Sequence, residues 1–174
     1  MTFFSKFPKI PYSSDGTKEY KMTPDLLRRV GFRQQAVANA FRMRKYYVRA
    51  GETPESVADK FYGDPRLHWV ILISNNIIDR YHDWPLTEGQ LMQFVDDKYD
   101  NPNGVHHYEI SQTSGDTDVK INIGTDKTDY PSATTITNYE YEVERQDGIS
   151  EVSILEAESL QQFVKEFEAI IREK

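Results

Sequence analysis

The chain has 174 residues, 28 Asp and Glu against 21 Lys and Arg, a net charge of −7 and no Cys. The acidic balance argues against non-specific nucleic-acid binding, and the lack of Cys rules out a disulfide framework and a thiolate metal site. The longest apolar run, residues 69–73, is far below the ~18 residues of a transmembrane helix, and the opening MTFFSKFPKIPYSS lacks the apolar core of a secretion signal. A chain of this length supports one domain with extensions or two small ones, and it can bury roughly 70% of its unfolded surface without staples.

Residues 1–22 carry neither a helical nor a strand period. Pro8 and Pro11 bar a helix, and residues 13–16 read as a turn. Phe3, Phe4, Phe7, Ile10 and Tyr12 are too apolar to stay in water, so they either pack back on the domain or dock on another chain. Thr23-Pro24 is a cap-and-proline pair, from which a short helix is expected through Leu26, Leu27 and Val30 to Gly31. Arg28, Arg29 and Arg33 give it a basic side, read either as a solvated face or as a salt-bridging face toward an acidic partner. Residues 34–44 are expected to be helix or structured loop.

Residues 46–94 are the most densely marked stretch. A β-type run at 46–49 meets a turn at Ala50-Gly51. Thr53 stands as N-cap with Pro54 at the first helical position, and Glu52 and Glu55 place negative charge near that helix end. Val57, Ala58 and Phe61 form its apolar side. Gly63 ends the helix, and Asp64-Pro65 starts a second one over residues 66–75. That helix is apolar nearly all round, as for an element buried on several sides, and Asn75-Asn76 suits its C-terminal cap. Residues 86–94 are expected to return as a strand around Leu91, Met92 and Phe94.

Residues 101–104 form a strong turn and a plausible boundary. Short β-like runs follow at 105–110, 119–123 and 139–145, with a polar, exposed loop expected over 124–138. Gln146-Asp147-Gly148 reads as a hairpin turn joining 139–145 to 149–155. Residues 159–172 carry the cleanest helical period: Leu160, Phe163, Val164, Phe167, Ile170 and Ile171. Ser159 and Gln162 match a capping box. The stripe must be covered, by the preceding hairpin or by another subunit.

Chemistry is hard to place on this chain. His82 with Asp79 and Asp83 fits no standard zinc spacing and reads as a polar loop with Trp84-Pro85 fixing its exit. His106 and His107 fall on opposite faces of a strand. Asp116 and Asp118 lack the rest of a calcium loop. Gly51 and Gly63 are isolated turn glycines and not a phosphate loop. No catalytic residue, metal ligand set or cofactor site is expected.

Taken together, Tyr47, Val48, Gly51, Glu52, Thr53, Ser56, Ala58, residues 61–65, Trp69 and Asn75 resemble a LysM module, in which two short antiparallel strands carry two helices on one face. The aromatic insertion IDRYHDWP, residues 78–85, departs from a simple module. With residues 75–79 before it and Lys98-Tyr99 after it, the stretch resembles the LysM-containing baseplate wedge subunits of contractile-tailed, T-even-like bacteriophages. The resemblance is strongest over residues 46–99 and weaker at both ends.

It implies an α+β fold: a βααβ module at 46–99, an extended N-terminal arm with a short helix at 1–45, and a small antiparallel hairpin region with a terminal amphipathic helix at 100–174. It implies a structural subunit of the tail baseplate, made and assembled in the host cytoplasm. Such a subunit bridges neighbouring wedges and touches other wedge and hub proteins, without nucleic-acid or membrane contact. Partner-binding candidates are Phe3, Phe4, Phe7, Tyr12, Tyr81, His82, Asp83 and Trp84. The alternative is a module binding N-acetylglucosamine polymers (peptidoglycan or chitin) in a groove at Gly51, Glu52, Thr53, Asn75, Asn76 and Ile77. A vestigial peptidoglycan contact is the weaker form of that alternative.

Overall fold

The computed structural model describes residues 3–14, 16, 18–28, 31–32, 40–112 and 119–172. In chain order its elements are β1 (Lys9–Tyr12), β2 (Lys21–Pro24), β3 (Met43–Tyr47), α1 (Pro54–Tyr62), α2 (His68–Ser74), α3 (Glu88–Lys98), β4 (Val105–Ser111), β5 (Lys120–Asn122), β6 (Thr134–Thr137), α4 (Asn138–Ser150), β7 (Glu151–Leu155) and α5 (Ala157–Arg172). Short 3₁₀ turns occupy Phe3–Lys6 and Pro65–Leu67. The fold is mixed α+β, as the resemblance implies. The chain divides into two compact units: Met1–Trp84 with Ser150–Lys174, and Pro85–Ile149.

In the first unit β3 pairs antiparallel with β7, from Met43 opposite Leu155 to Tyr47 opposite Glu151. The helix signals between them hold. Thr53 accepts from the Ser56 amide and Ser56 returns a bond to the Thr53 amide, with Pro54 at the first position. Gly63 ends α1 at φ 65°, a left-handed conformation that costs glycine little. Asp64 caps the 3₁₀ turn that leads into α2, and the Arg66 guanidinium holds the Asp64 carboxyl well below the usual carboxylate range. One buried cluster gathers Val48, Val57, Ala58, Ile71, Trp84, Val152 and Ile154.

The second cluster covers the α5 stripe. Phe163, Phe167 and Ile171 are buried against Phe7, Phe41, Trp69, Val70 and Leu155, with Phe3 and Phe32 packed on its margin. The Phe3 ring lies 5.5 Å from both Trp69 and Phe167. Phe7 therefore belongs to the chain's own core. The cover for α5 comes from the N-terminus, α2 and β7, and not from a preceding hairpin. Lys6 pairs with Glu168 beside this seam.

Four local expectations are overturned. Residues 86–94 are not a returning strand: Thr87 and Gln90 form a capping box, and α3 buries Leu91 and Val95 four residues apart. The strand that pairs with β3 is β7. Residues 139–145 and 149–155 do not form a hairpin, because α4 runs through the expected turn and only 151–155 is extended. Thr23-Pro24 ends β2 and does not begin a helix, since Ile10 pairs with Thr23 and Lys9 with Pro24. Part of the expected loop 124–138 is β6, which pairs with β4. In addition, α5 begins at Ala157, so Ser159 sits inside its first turn and its amide bonds to the Glu156 carbonyl. Arg29, Val30, Arg33, most of 34–44, Asp116 and Asp118 lie outside the described residues.

The second unit is a three-stranded antiparallel sheet in the order β5-β4-β6, together with α3 and α4. A fully buried carboxylate, Glu142 on α4, accepts from Lys98 at 2.6 Å, Tyr99 Oη at 2.8 Å and Arg145 at 3.5 Å. Burial alone raises the Glu142 pKa, but these donors outweigh it and hold the group below its ordinary value.

Two outcomes follow for urea unfolding. Phe7→Ala should lose about 3–5 kcal/mol, the usual cost of emptying a buried aromatic site. An unchanged midpoint would show that the N-terminal aromatics are not part of the core. Glu142 has a depressed folded-state pKa, so its contribution is present above the ordinary carboxylate pKa and is lost as pH falls through the folded value. Glu142→Gln should therefore lose about 1–3 kcal/mol at neutral pH and show a shallower acid decline than wild type.

Candidate functional site

The inserted loop, residues 78–85, is locked by its own polar groups. Asp83 Oδ2 accepts from the amides of Ile78 (3.3 Å) and Asp79 (3.0 Å). Asp79 accepts from the Tyr81 amide at 2.9 Å, and its other oxygen lies 2.6 Å from His82 Nδ1. That His82 contact, with the Tyr81 amide, holds the Asp79 carboxyl below its usual range. Arg80 reaches α1 with a two-pronged contact to Glu55, at 2.8 and 3.2 Å. Burial raises the Glu55 pKa, yet hydrogen bonding and Arg80 bring it below the ordinary value.

Trp84 ends the loop at 5% exposure, and its indole N–H donates to the Glu52 carbonyl at 2.8 Å. Of the loop residues singled out from the sequence, Tyr81 is 75% exposed, His82 is exposed, Asp83 is half-buried and Trp84 is buried.

The residues of the implied sugar groove are used inside the fold. Glu52 accepts from Tyr46 Oη at 2.5 Å and the Arg49 amide at 2.9 Å, with Lys60 at 3.4 Å. Burial raises its pKa, and these donors pull it below normal. Asn75 works as a peptide mimic against β7: its Oδ1 accepts from the Ser153 amide at 2.7 Å, and its Nδ2 donates to the Ser153 carbonyl at 2.8 Å. Nδ2 also reaches the Ile71 carbonyl at the end of α2. Asn76 takes φ 55°, a left-handed turn that asparagine tolerates, and Ile77 packs on the margin of the Trp84 cluster. Gly51, at φ 83°, and Thr53 stay on the surface.

The N-terminal candidates separate by exposure. Phe7 is buried and Phe3 half-buried, while Phe4 and Tyr12 are 55% and 56% exposed. The β1–β2 hairpin leaves Ile10, Tyr20 and Met22 exposed too, and Leu27, just beyond it, is 89% exposed. The sequence places Leu26 and Leu27 in a short helix, whereas here they follow β2 and are exposed. The signal that finds the exposed set is the register, in which Pro11 sits opposite Met22 and Tyr12 opposite Lys21. Behind the arm lies an open cleft of about 540 Å³, lined by Phe3, Phe4, Leu26, Ile73, Ile78 and Phe167 among others.

Elsewhere, His106 and His107 do not point apart. A bulge between Val105 and His107 sets their Nδ1 atoms 2.9 Å from each other. His107 Nε2 lies 3.0 Å from Glu109, and the His106 ring stacks on Tyr141 at 3.8 Å. Burial and the neighbouring His107 lower the His106 pKa. Among the described residues, no group of three or more His, Asp and Glu is placed to hold a metal ion, and no helix is long and apolar enough to cross a membrane. The arrangement as a whole offers exposed aromatic and aliphatic side chains, among them Phe4, Tyr12, Leu27 and Tyr81.

A family model described as base plate wedge protein 53 matches residues 2–120. Over 64 residues the chain is 36% identical to the baseplate wedge protein gp53 of Enterobacteria phage T4. That segment is 37% of this chain and 33% of the relative, so the match spans about a third of the relative's length. The family match takes in well over half of the 174 residues, from the apolar N-terminus through the capped helices and the aromatic loop to β5. The chain belongs to the base plate wedge protein 53 family of phage structural proteins.

Proposed function

We propose that the protein is a structural subunit of a phage tail base plate wedge that bridges neighbouring wedge proteins during assembly and catalyses no reaction. The family match over residues 2–120 carries this reading. It is supported by the exposed apolar side chains of Phe4, Tyr12, Met22, Leu27 and Tyr81, held on elements that are themselves anchored to the core. Anchoring matters because a side chain fixed before binding loses less freedom on docking. Several such patches on one chain act multivalently, so modest contacts sum within an assembly. Other wedge and hub proteins are the proposed neighbours, and the virion tail is the proposed location, reached after assembly in the host cytoplasm.

Sugar binding by a LysM-like groove is the rival reading. Trp84 donating to the Glu52 carbonyl, and Asn75 committed to Ser153, both weigh against an open groove. Retention on insoluble peptidoglycan, without co-purifying tail proteins, would favour that rival.

The test is reconstitution with the other wedge proteins of the same phage, followed by gradient sedimentation. Combined Tyr12→Ala, Met22→Ala and Leu27→Ala, and separately Tyr81→Ala, should leave the thermal transition within about 1 kcal/mol of wild type. At least one of them should weaken incorporation by about tenfold or more. Full incorporation of a variant carrying all four changes would overturn the docking role of these surfaces.

A further inference from the structure

We infer that the outer edge of β3 is a docking edge for an extended, acidic strand of a partner protein. Among the described residues, the β3–β7 sheet has these two strands. Its ladder continues at both ends, with the Glu156 amide bonded to the Arg42 carbonyl and the Val48 amide to the Ser150 carbonyl. In an antiparallel pair, hydrogen-bonded positions alternate. Residues 42, 44, 46 and 48 therefore turn their main chain toward β7, and Met43, Lys45 and Tyr47 turn theirs outward.

The two outer edges of this sheet are treated differently. At the middle of β7, the Asn75 amide satisfies both main-chain groups of Ser153. On β3 nothing among the described residues does the same, and the outward N–H and C=O groups of Met43, Lys45 and Tyr47 have no hydrogen-bond partner there. An open edge of this kind is a ready template for another strand.

The side chains along the edge define what fits. Arg42, Arg44 and Arg49 are exposed and form no ion pair among the described residues. Lys45 is answered by Glu151 at 2.6 Å. Two copies pairing through this edge would set cation against cation, which disfavours a sheet. An extended segment with Glu or Asp at alternate positions would place carboxylates beside Arg42 and Arg44, which share one face of the strand, while its main chain completes the ladder. Strand addition takes affinity from main-chain bonds and selectivity from the alternate side chains. The inference goes beyond the wedge role and fails independently of it: normal wedge assembly without peptide binding would leave that role standing.

The test uses the full chain and a fluorescent peptide alternating Glu and Val. The peptide should bind, slow hydrogen exchange at the Met43, Lys45 and Tyr47 amides, and bind more weakly as salt rises. The same peptide N-methylated on its β3-facing amides should bind about tenfold more weakly or worse, with no change to the protein. Lys45→Pro should do likewise, because the Lys45 amide points away from β7 and its loss leaves the ladder intact. Reversal of the two arginines that share a face (Arg42→Glu, Arg44→Glu) should move the preference to a peptide alternating Lys and Val. Absent binding, binding indifferent to N-methylation, or protection at other amides would overturn the inference. Self-association by sedimentation equilibrium that Lys45→Pro abolishes would assign the edge to a second copy and overturn it equally.

Discussion

The apolar stripe of α5 has to leave water, and the two ends of the chain meet over it. Phe163, Phe167 and Ile171 are fully buried or nearly so, and Phe7, Phe41 and Trp69 close over them. The aromatic rings approach at 4.8–5.5 Å in tilted or edge-on arrangements, which add stabilisation beyond the area removed from water. The N-terminal surface of this unit hangs on that seam. Phe3 and Phe7 fix the start of the arm, and so the root of the β1–β2 hairpin. Phe41 fixes the entry to β3, and Leu155 fixes the end of β7.

Much of this was legible in the residues because the signals were local. Thr53-Pro54, Gly63 and Asp64-Pro65 are short capping devices whose physics is complete within a few residues; the first two act as read, and Asp64-Pro65 caps a 3₁₀ turn ahead of α2 and not α2 itself. The α5 stripe was legible for the same reason. The failures occurred where a local cue supported two structures. Thr23-Pro24 suits a helix start, but Pro24 also fits the end of an exposed strand whose partner lies on the far side of a turn. Residues 139–145 alternate Tyr, Glu, Tyr, Glu and Val, a period of two, yet they are helical; Tyr141 stacks on His106 and Glu142 is buried among Lys98, Tyr99 and Arg145. The expected strand at 86–94 overlooked the Thr87–Gln90 capping box.

The candidate site was only partly legible. Exposure sorted the aromatic residues in a way that their identity did not. Tyr81 and Tyr12 face solvent, while Trp84 and Phe7 hold the core. The double use of Asn75, as helix terminator and as substitute peptide for β7, depends on a strand 78 residues away. No periodicity reports a contact of that kind. The bulge that brings His106 beside His107 is equally silent in the residue pattern, since a single extra residue reverses which face each ring takes.

The join between α4 and β7 bears on how the chain folds. β3 meets its partner across 104 residues, from Tyr47 to Glu151, and all of Pro85–Ile149 is synthesised between the two strands. Contacts of such wide sequence separation slow folding, because closure must occur before the ladder rewards it. During synthesis β3 emerges long before β7, so for that interval neither edge has its partner strand, and the charges of Arg42, Arg44, Lys45 and Arg49 guard against premature pairing.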